Sequence, residues 1–146
     1  MFLTKSYILV RRLKMEIRDR IVRSITRKRE SVYLRKEFDK FGSRAGVNRA
    51  LSQLITDGKV VRVGTGLYAP AKKSFLTGNF IPTTTDLEFG NLALKKLGVE
   101  VFPTRAQEEY NSGKTTQVPP SIAFNVGKSR IRRRIGFNGR VRFEKN

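Results

Sequence analysis

The sequence predicts an α+β fold, and three observations carry that prediction. Apolar residues recur at three- and four-residue spacing through the first third of the chain. Short β-branched runs bounded by glycine follow, and they continue to the C-terminus. The 38% hydrophobic and 10% aromatic content is enough to bury a core, so the composition is not that of a disordered chain.

Val10, Leu13, Ile17, Ile21 and Ile25 form an apolar stripe, which predicts an amphipathic helix from roughly Tyr7 to Arg27. Glu16 with Arg20, and Asp19 with Arg23, are expected i,i+4 pairs on it. Met15 begins the better-patterned part, so residues 1–14 are set apart as an extension and a start at either Met1 or Met15 fits. Leu34, Phe38 and Phe41 mark a second, short helix closed by Gly42. Ser43 is then placed to cap a third helix, whose expected buried stripe is Val47, Ala50, Leu51, Leu54 and Ile55, with Gly58 as its stop. Lys59–Val63 and Leu67–Ala69 read as two strands joined by Gly64-Thr65-Gly66. Helix, helix, tight turn, helix, hairpin is the order of a winged helix-turn-helix, so residues 1–70 are expected to be a DNA-binding domain of that kind.

Pro70 and the following Ala-Lys-Lys-Ser suggest a boundary. Residues 71–146 then read as a small α+β domain ending in an antiparallel β-hairpin. Its expected elements are a helix over Asp86–Leu97 with Leu87, Leu94 and Leu97 as apolar contacts, a strand over Val99–Phe102 and a short helix over Arg105–Tyr110. Ser121–Val126 and Ile131–Phe143 form the expected antiparallel tail, broken by Gly127, Gly136 and Gly139.

Charge narrows the partner. Lys and Arg number 31 against 12 Asp and Glu, for a net charge of +19. Residues 1–73 hold 19 of those 31 cations and 6 of the 12 acids, leaving +13 there and +6 in residues 74–146. So strong a basic excess predicts a polyanion, since each neutralised phosphate releases condensed counterions. Cys and His are absent, which excludes disulfides, thiolate or imidazole metal sites, and Cys or His catalysis. No apolar run approaches a membrane span, and FLTKSYILV is too short and interrupted for a signal segment; a cytoplasmic protein is expected.

On the third helix Ser43, Arg44, Asn48, Arg49 and Ser52 lie off the apolar stripe and are candidate DNA contacts. Arg44 and Asn48 are one turn apart; Arg can fork onto guanine and Asn onto adenine in the major groove. Arg62 and Thr65 on the hairpin are candidate backbone or minor-groove contacts. Cations of the first helix, Arg18, Arg20, Arg23, Arg27, Lys28 and Arg29, are expected to divide between a phosphate path and plain solvation. In a strand, Arg130, Arg132 and Arg134 would share one face and form a second basic surface, or an edge guarded by charge. Asp86 with Glu88, and Glu108 with Glu109, lack a third ligand, and Gly113-Lys114-Thr115 lacks the upstream glycine of a phosphate loop, since position 108 is Glu. No catalytic residue, metal or cofactor is expected.

The stretch AGVNRALSQLITDGKVVRVGTGLYAP, followed by TTQVPPSIAFNVGKSRIRRRIGFNGRVRFEKN with its Thr116-Gln117-Val118-Pro119 element, resembles the AbiEi-like antitoxins of type IV toxin–antitoxin systems. The resemblance covers roughly residues 15 to 146. It implies an N-terminal domain that binds double-stranded DNA and represses its own operon, with Ser43, Arg44, Asn48 and Arg49 on the recognition helix. It further implies a C-terminal antitoxin domain and a nucleotidyltransferase toxin as functional partner, countered without a stable complex. A sequence-specific transcriptional autoregulator with antitoxin function is the reading this supports. Its rivals are an RNA-binding or ribosome-associated basic protein, and an interaction protein that binds a partner through its C-terminal part. Oligomeric state has no sequence signal.

Overall fold

The computed structural model describes residues 15–114, 116, 122–139 and 141–146. The chain is α+β. Helix α1 runs from Ile17 to Lys28, and its apolar stripe turns Ile21 fully inward. Arg29 ends it in a left-handed conformation, with its N–H returning to the Ile25 carbonyl at 3.0 Å. The part of the expected helix before Met15 lies outside the described residues. Neither expected i,i+4 pair closes among the described residues; Arg18 of the same helix instead reaches Asp57 at the end of the third helix.

Strand β1 (Tyr33–Leu34) leads into the expected second, short helix, which is a 3-10 segment, Arg35–Phe41, closed by Gly42. Helix α2 follows from Arg44 to Thr56. Ser43 caps it, its Oγ accepting the Gly46 N–H at 3.1 Å. Val47, Ala50, Leu51 and Leu54 are buried as expected, whereas Ile55 is 37% exposed because its position falls just past the edge of the inward stripe.

Strands β2 (Val60–Gly64) and β3 (Leu67–Lys73) form an antiparallel hairpin, and β1 pairs antiparallel with the other edge of β3, giving the order β1-β3-β2. Pro70 sits inside β3, opposite Val60. Beyond it β3 pairs with β4 (Phe80–Pro82).

Successive residues of a strand face opposite ways, and this sheet buries both faces. Val60 joins Ile21, Tyr33, Phe38, Val47, Leu51 and Leu54 on the side of α1 and α2. Val61, Val63, Leu67 and Ala69 join Phe89, Leu94, Phe124 and Ile135 on the other. That second cover comes from helix α3 (Asp86–Lys96), which Thr85 caps, and from the tail. Leu87, an expected contact, is 43% exposed, because the inward face of α3 is carried by Phe89, Ala93 and Leu94.

Helix α4 (Arg105–Asn111) carries a Thr104–Gln107 capping box. The expected strand over Val99–Phe102 reduces to one bridge, Phe102 with Asn125. Strands β5 (Ala123–Asn125) and β6 (Arg142–Glu144) do pair, but in parallel, so the terminal antiparallel hairpin is corrected. The reason lies between them. Residues 130–134 form no strand; Ile135 bridges antiparallel to Gly64, and the chain must turn back sharply to return to β5. Gln117, Val118 and Pro119 lie outside the described residues.

Candidate nucleic-acid interface

Gly42 sets how α1 meets the turn before α2. A Cβ at Gly42 would strike the end of the Ile17 side chain, so glycine lets the first helix close onto the turn. Arg44, Asn48, Arg49 and Ser52 are all exposed on α2, as Ser43 is at its start, with Arg49 on the side that meets α1. Among the described residues nothing buries Arg44 or Asn48, both of which are exposed.

The outward stripe is braced by a residue that sequence reasoning missed. Arg35, first in the 3-10 segment, donates from Nε to Asn48 Oδ1 at 2.7 Å, from one terminal nitrogen to the Arg44 carbonyl at 3.2 Å, and from the other to Asp39 at 3.0 Å. Its backbone N–H donates to the Gly66 carbonyl at 2.9 Å. One residue therefore ties the N-terminal half of α2 to the hairpin turn. Apart from Asp39, four residues on, its partners lie 9 to 31 positions away in the sequence, so no local periodicity announces them.

Of the hairpin candidates, Thr65 is exposed at the turn and Arg62 is exposed on β2, where its Nε donates to the Gly64 carbonyl at 3.2 Å. The turn is not free. Thr65 N–H donates to the Arg134 carbonyl at 3.0 Å and Gly136 N–H to the Val63 carbonyl at 2.8 Å. Arg130, Arg132 and Arg134 thus do not form a strand face of their own. They belong to an irregular segment that runs up to the hairpin turn and brings the exposed Arg134 beside Thr65.

Beneath the interface a charged cluster locks α3 to the N-terminal unit. Lys96 Nζ donates to Glu37 Oε2 at 2.9 Å and to the Val32 carbonyl at 2.9 Å, pairs with Glu30 at 3.1 Å, and lies 4.9 Å from the centre of the Tyr33 ring. Burial pushes the Glu37 carboxyl up, but the Leu34 N–H and the ammonium groups of Lys96 and Lys28 outweigh it and hold the group below its usual value. Burial also raises the Tyr33 hydroxyl, which accepts from Glu30 N–H and donates to the Ile25 carbonyl.

Two open clefts flank α1. One, of about 490 Å³, lies against α2 and is rimmed by Arg20, Arg49 and Gln53. The other, of about 730 Å³, lies between α1 and the 3-10 segment and is rimmed by Arg20, Arg23, Arg27, Lys28 and Lys40. Among the described residues no group of acids could hold a metal ion, and no helix is long and apolar enough to cross a membrane.

A family model described as "Family of unknown function (DUF6088)" matches residues 17–145. No curated protein matches the chain.

Proposed function

The chain belongs to the DUF6088 family, and we propose that it is a cytoplasmic, sequence-specific DNA-binding regulator of the winged helix-turn-helix kind. One observation carries the reading: Arg44 and Asn48 stand exposed on one side of α2, braced by Arg35 beside the hairpin turn. A rigid helix with such a face fits the major groove, and the basic hairpin falls against the adjoining backbone. The excess of Lys and Arg in residues 1–73 supplies the attraction for phosphate. Tyr33 is fully buried and so is closed to a base, whereas Phe75 is fully exposed, so competition between duplex DNA and RNA is what separates an RNA-stacking role.

Footprinting on DNA upstream of the protein's own gene tests the proposal. A protected site is expected, and Arg44→Ala and Asn48→Ala should each cost roughly 1–3 kcal/mol of affinity for it and relax the sequence preference. Intact affinity in both variants would sink the recognition-helix assignment. Stronger binding to structured RNA than to duplex DNA in competition would move the function to RNA.

The resemblance to AbiEi-like antitoxins extends the proposal to an operon that encodes a nucleotidyltransferase toxin, which this protein counters. Co-expression should relieve growth arrest by the adjacent gene's product. Unrelieved arrest would leave the regulator without the antitoxin role.

A further inference from the structure

We infer that the cleft between α1 and the 3-10 segment seats the phosphodiester backbone of the duplex held by α2, so that the footprint wraps past the recognition helix onto α1. This rests on the DNA-binding reading and adds a site to it. Arg20, Arg23 and Arg27 recur at three- and four-residue spacing and share the rim of the cleft, with Lys40 facing them from the 3-10 segment. No carboxylate lines it among the described residues.

Four of the six acids in residues 1–73 are engaged elsewhere: Asp57 with Arg18, Asp39 with Arg35, Glu30 with Lys96, and Glu37 with Lys96 and Lys28; the other two, Glu16 and Asp19, lie at the start of α1 itself and form no ion pair among the described residues. Among the described residues none of these acids pairs with Arg20, Arg23, Arg27 or Lys40. Lys40 is steadied by a ring instead, its Nζ lying 5.4 Å from the centre of Phe41. Lys28 is partly neutralised by Glu37, but the other four cations of the rim have no acid paired with them among the described residues, and such an excess suits an external polyanion.

Geometry favours a continuous strand over a small anion. Seven residues of α-helix rise about 10 Å, so the stripe from Arg20 to Arg27 matches about three phosphates at 3.4 Å of axis per strand phosphate. Arg20 borders both clefts, and the second cleft is shared with Arg49 of α2. Arg49, Arg18 and Arg20 therefore lead from α2 across the start of α1 into the larger cleft, with Glu16 the one acid lining the way.

The test is a salt series of equilibrium binding with the full chain, on duplexes carrying the footprinted site and a scrambled one. The triple variant Arg23→Gln/Arg27→Gln/Lys40→Gln should weaken both duplexes alike and lower the slope of log K against log salt by about 2–3, at about 0.9 per lost phosphate contact. The ratio between the two duplexes should not move. Asn48→Ala should do the reverse, changing the ratio and sparing the slope. Arg23→Lys/Arg27→Lys, which keeps the charge, should keep the slope, a result that a packing role would not give. Should the triple variant melt early, Lys40→Gln alone should remove about 0.9 of slope. An unchanged slope in a folded triple or single variant overturns the inference and leaves the recognition helix standing, with an acidic protein partner as the next occupant to try. A wild-type chain that binds neither duplex overturns both.

Discussion

The Nε of Arg35 donates to Oδ1 of Asn48 at 2.7 Å across the turn that separates the 3-10 segment from α2. An amide oxygen has two lone pairs, so Asn48 keeps one, with both N–H donors, for a ligand. The bond fixes which end of the amide faces out and holds its rotamer before any partner arrives. Arg35→Ala should therefore weaken binding to the footprinted duplex through Asn48. In a double-mutant cycle with Asn48→Ala, the two losses should fall short of additive by roughly 0.5–3 kcal/mol. Simple additivity would show that Arg35 acts only as another phosphate contact.

Lys96 holds α3 to β1 and the 3-10 segment through Glu37, Glu30 and the Val32 carbonyl. Its side chain is mostly buried, as is that of Glu37. Lys96→Met leaves two carboxylates and a carbonyl without their shared donor, and should cost roughly 3 kcal/mol of stability. Urea unfolding reads this as a lower midpoint at unchanged slope. A loss below about 0.5 kcal/mol, as for an exposed pair, would refute the claim that the cluster is a structural tie.

The same cluster sets a pH dependence. The Glu37 carboxyl is held below the ordinary value of about 4.3 that it takes in the unfolded chain. A group with a lowered native value binds its proton more weakly when folded. It therefore adds stability above the ordinary carboxylate value, and that stability is lost as pH falls through the lowered one. Wild type should thus be more stable than Glu37→Gln at neutral pH, and the two should converge in acid. Parallel pH–stability curves would contradict this.

At Gly64 a Cβ would run into the Arg134 carbonyl, which is backbone and cannot swing aside. Gly64→Ala should force the tail away from β2 and destabilise by roughly 1–3 kcal/mol. Hydrogen exchange should quicken at the Thr65 and Gly136 amides, whose partners are Arg134 and Val63. Unaltered protection at both amides would mean that the tail does not depend on this close approach.

Much of the N-terminal unit was legible because its signals are local. The stripe of Ile17, Ile21 and Ile25 sets α1, the Ser43 hydroxyl finds an amide three residues on, and the Gly-Thr-Gly turn joins a valine-rich run to the strand that begins at Leu67. The α+β class followed from the same signals. What stayed hidden is long-range. Nothing near Glu37 announces Lys96, 59 residues later, and Arg35 is an ordinary basic residue until α2 folds over it. The parallel pairing of β5 and β6 was illegible for a related reason. Arg130, Arg132 and Arg134 alternate as in a strand, imperfectly because Arg133 interrupts the apolar side, but the segment leads to the turn at Gly64, where Ile135 makes its bridge. Ile55 and Leu87 missed the core by small rotations about their helices, which apolar spacing cannot resolve.

The clasp between the tail and Gly64–Thr65 has a mechanical consequence. Whatever grips the chain near Arg134 handles the hairpin loop by the same two hydrogen bonds that now hold it still. Pulling the tail loosens the loop, and seating the loop steadies the tail, with the free-energy exchange equal in both directions. Two segments far apart in the sequence thus share one latch.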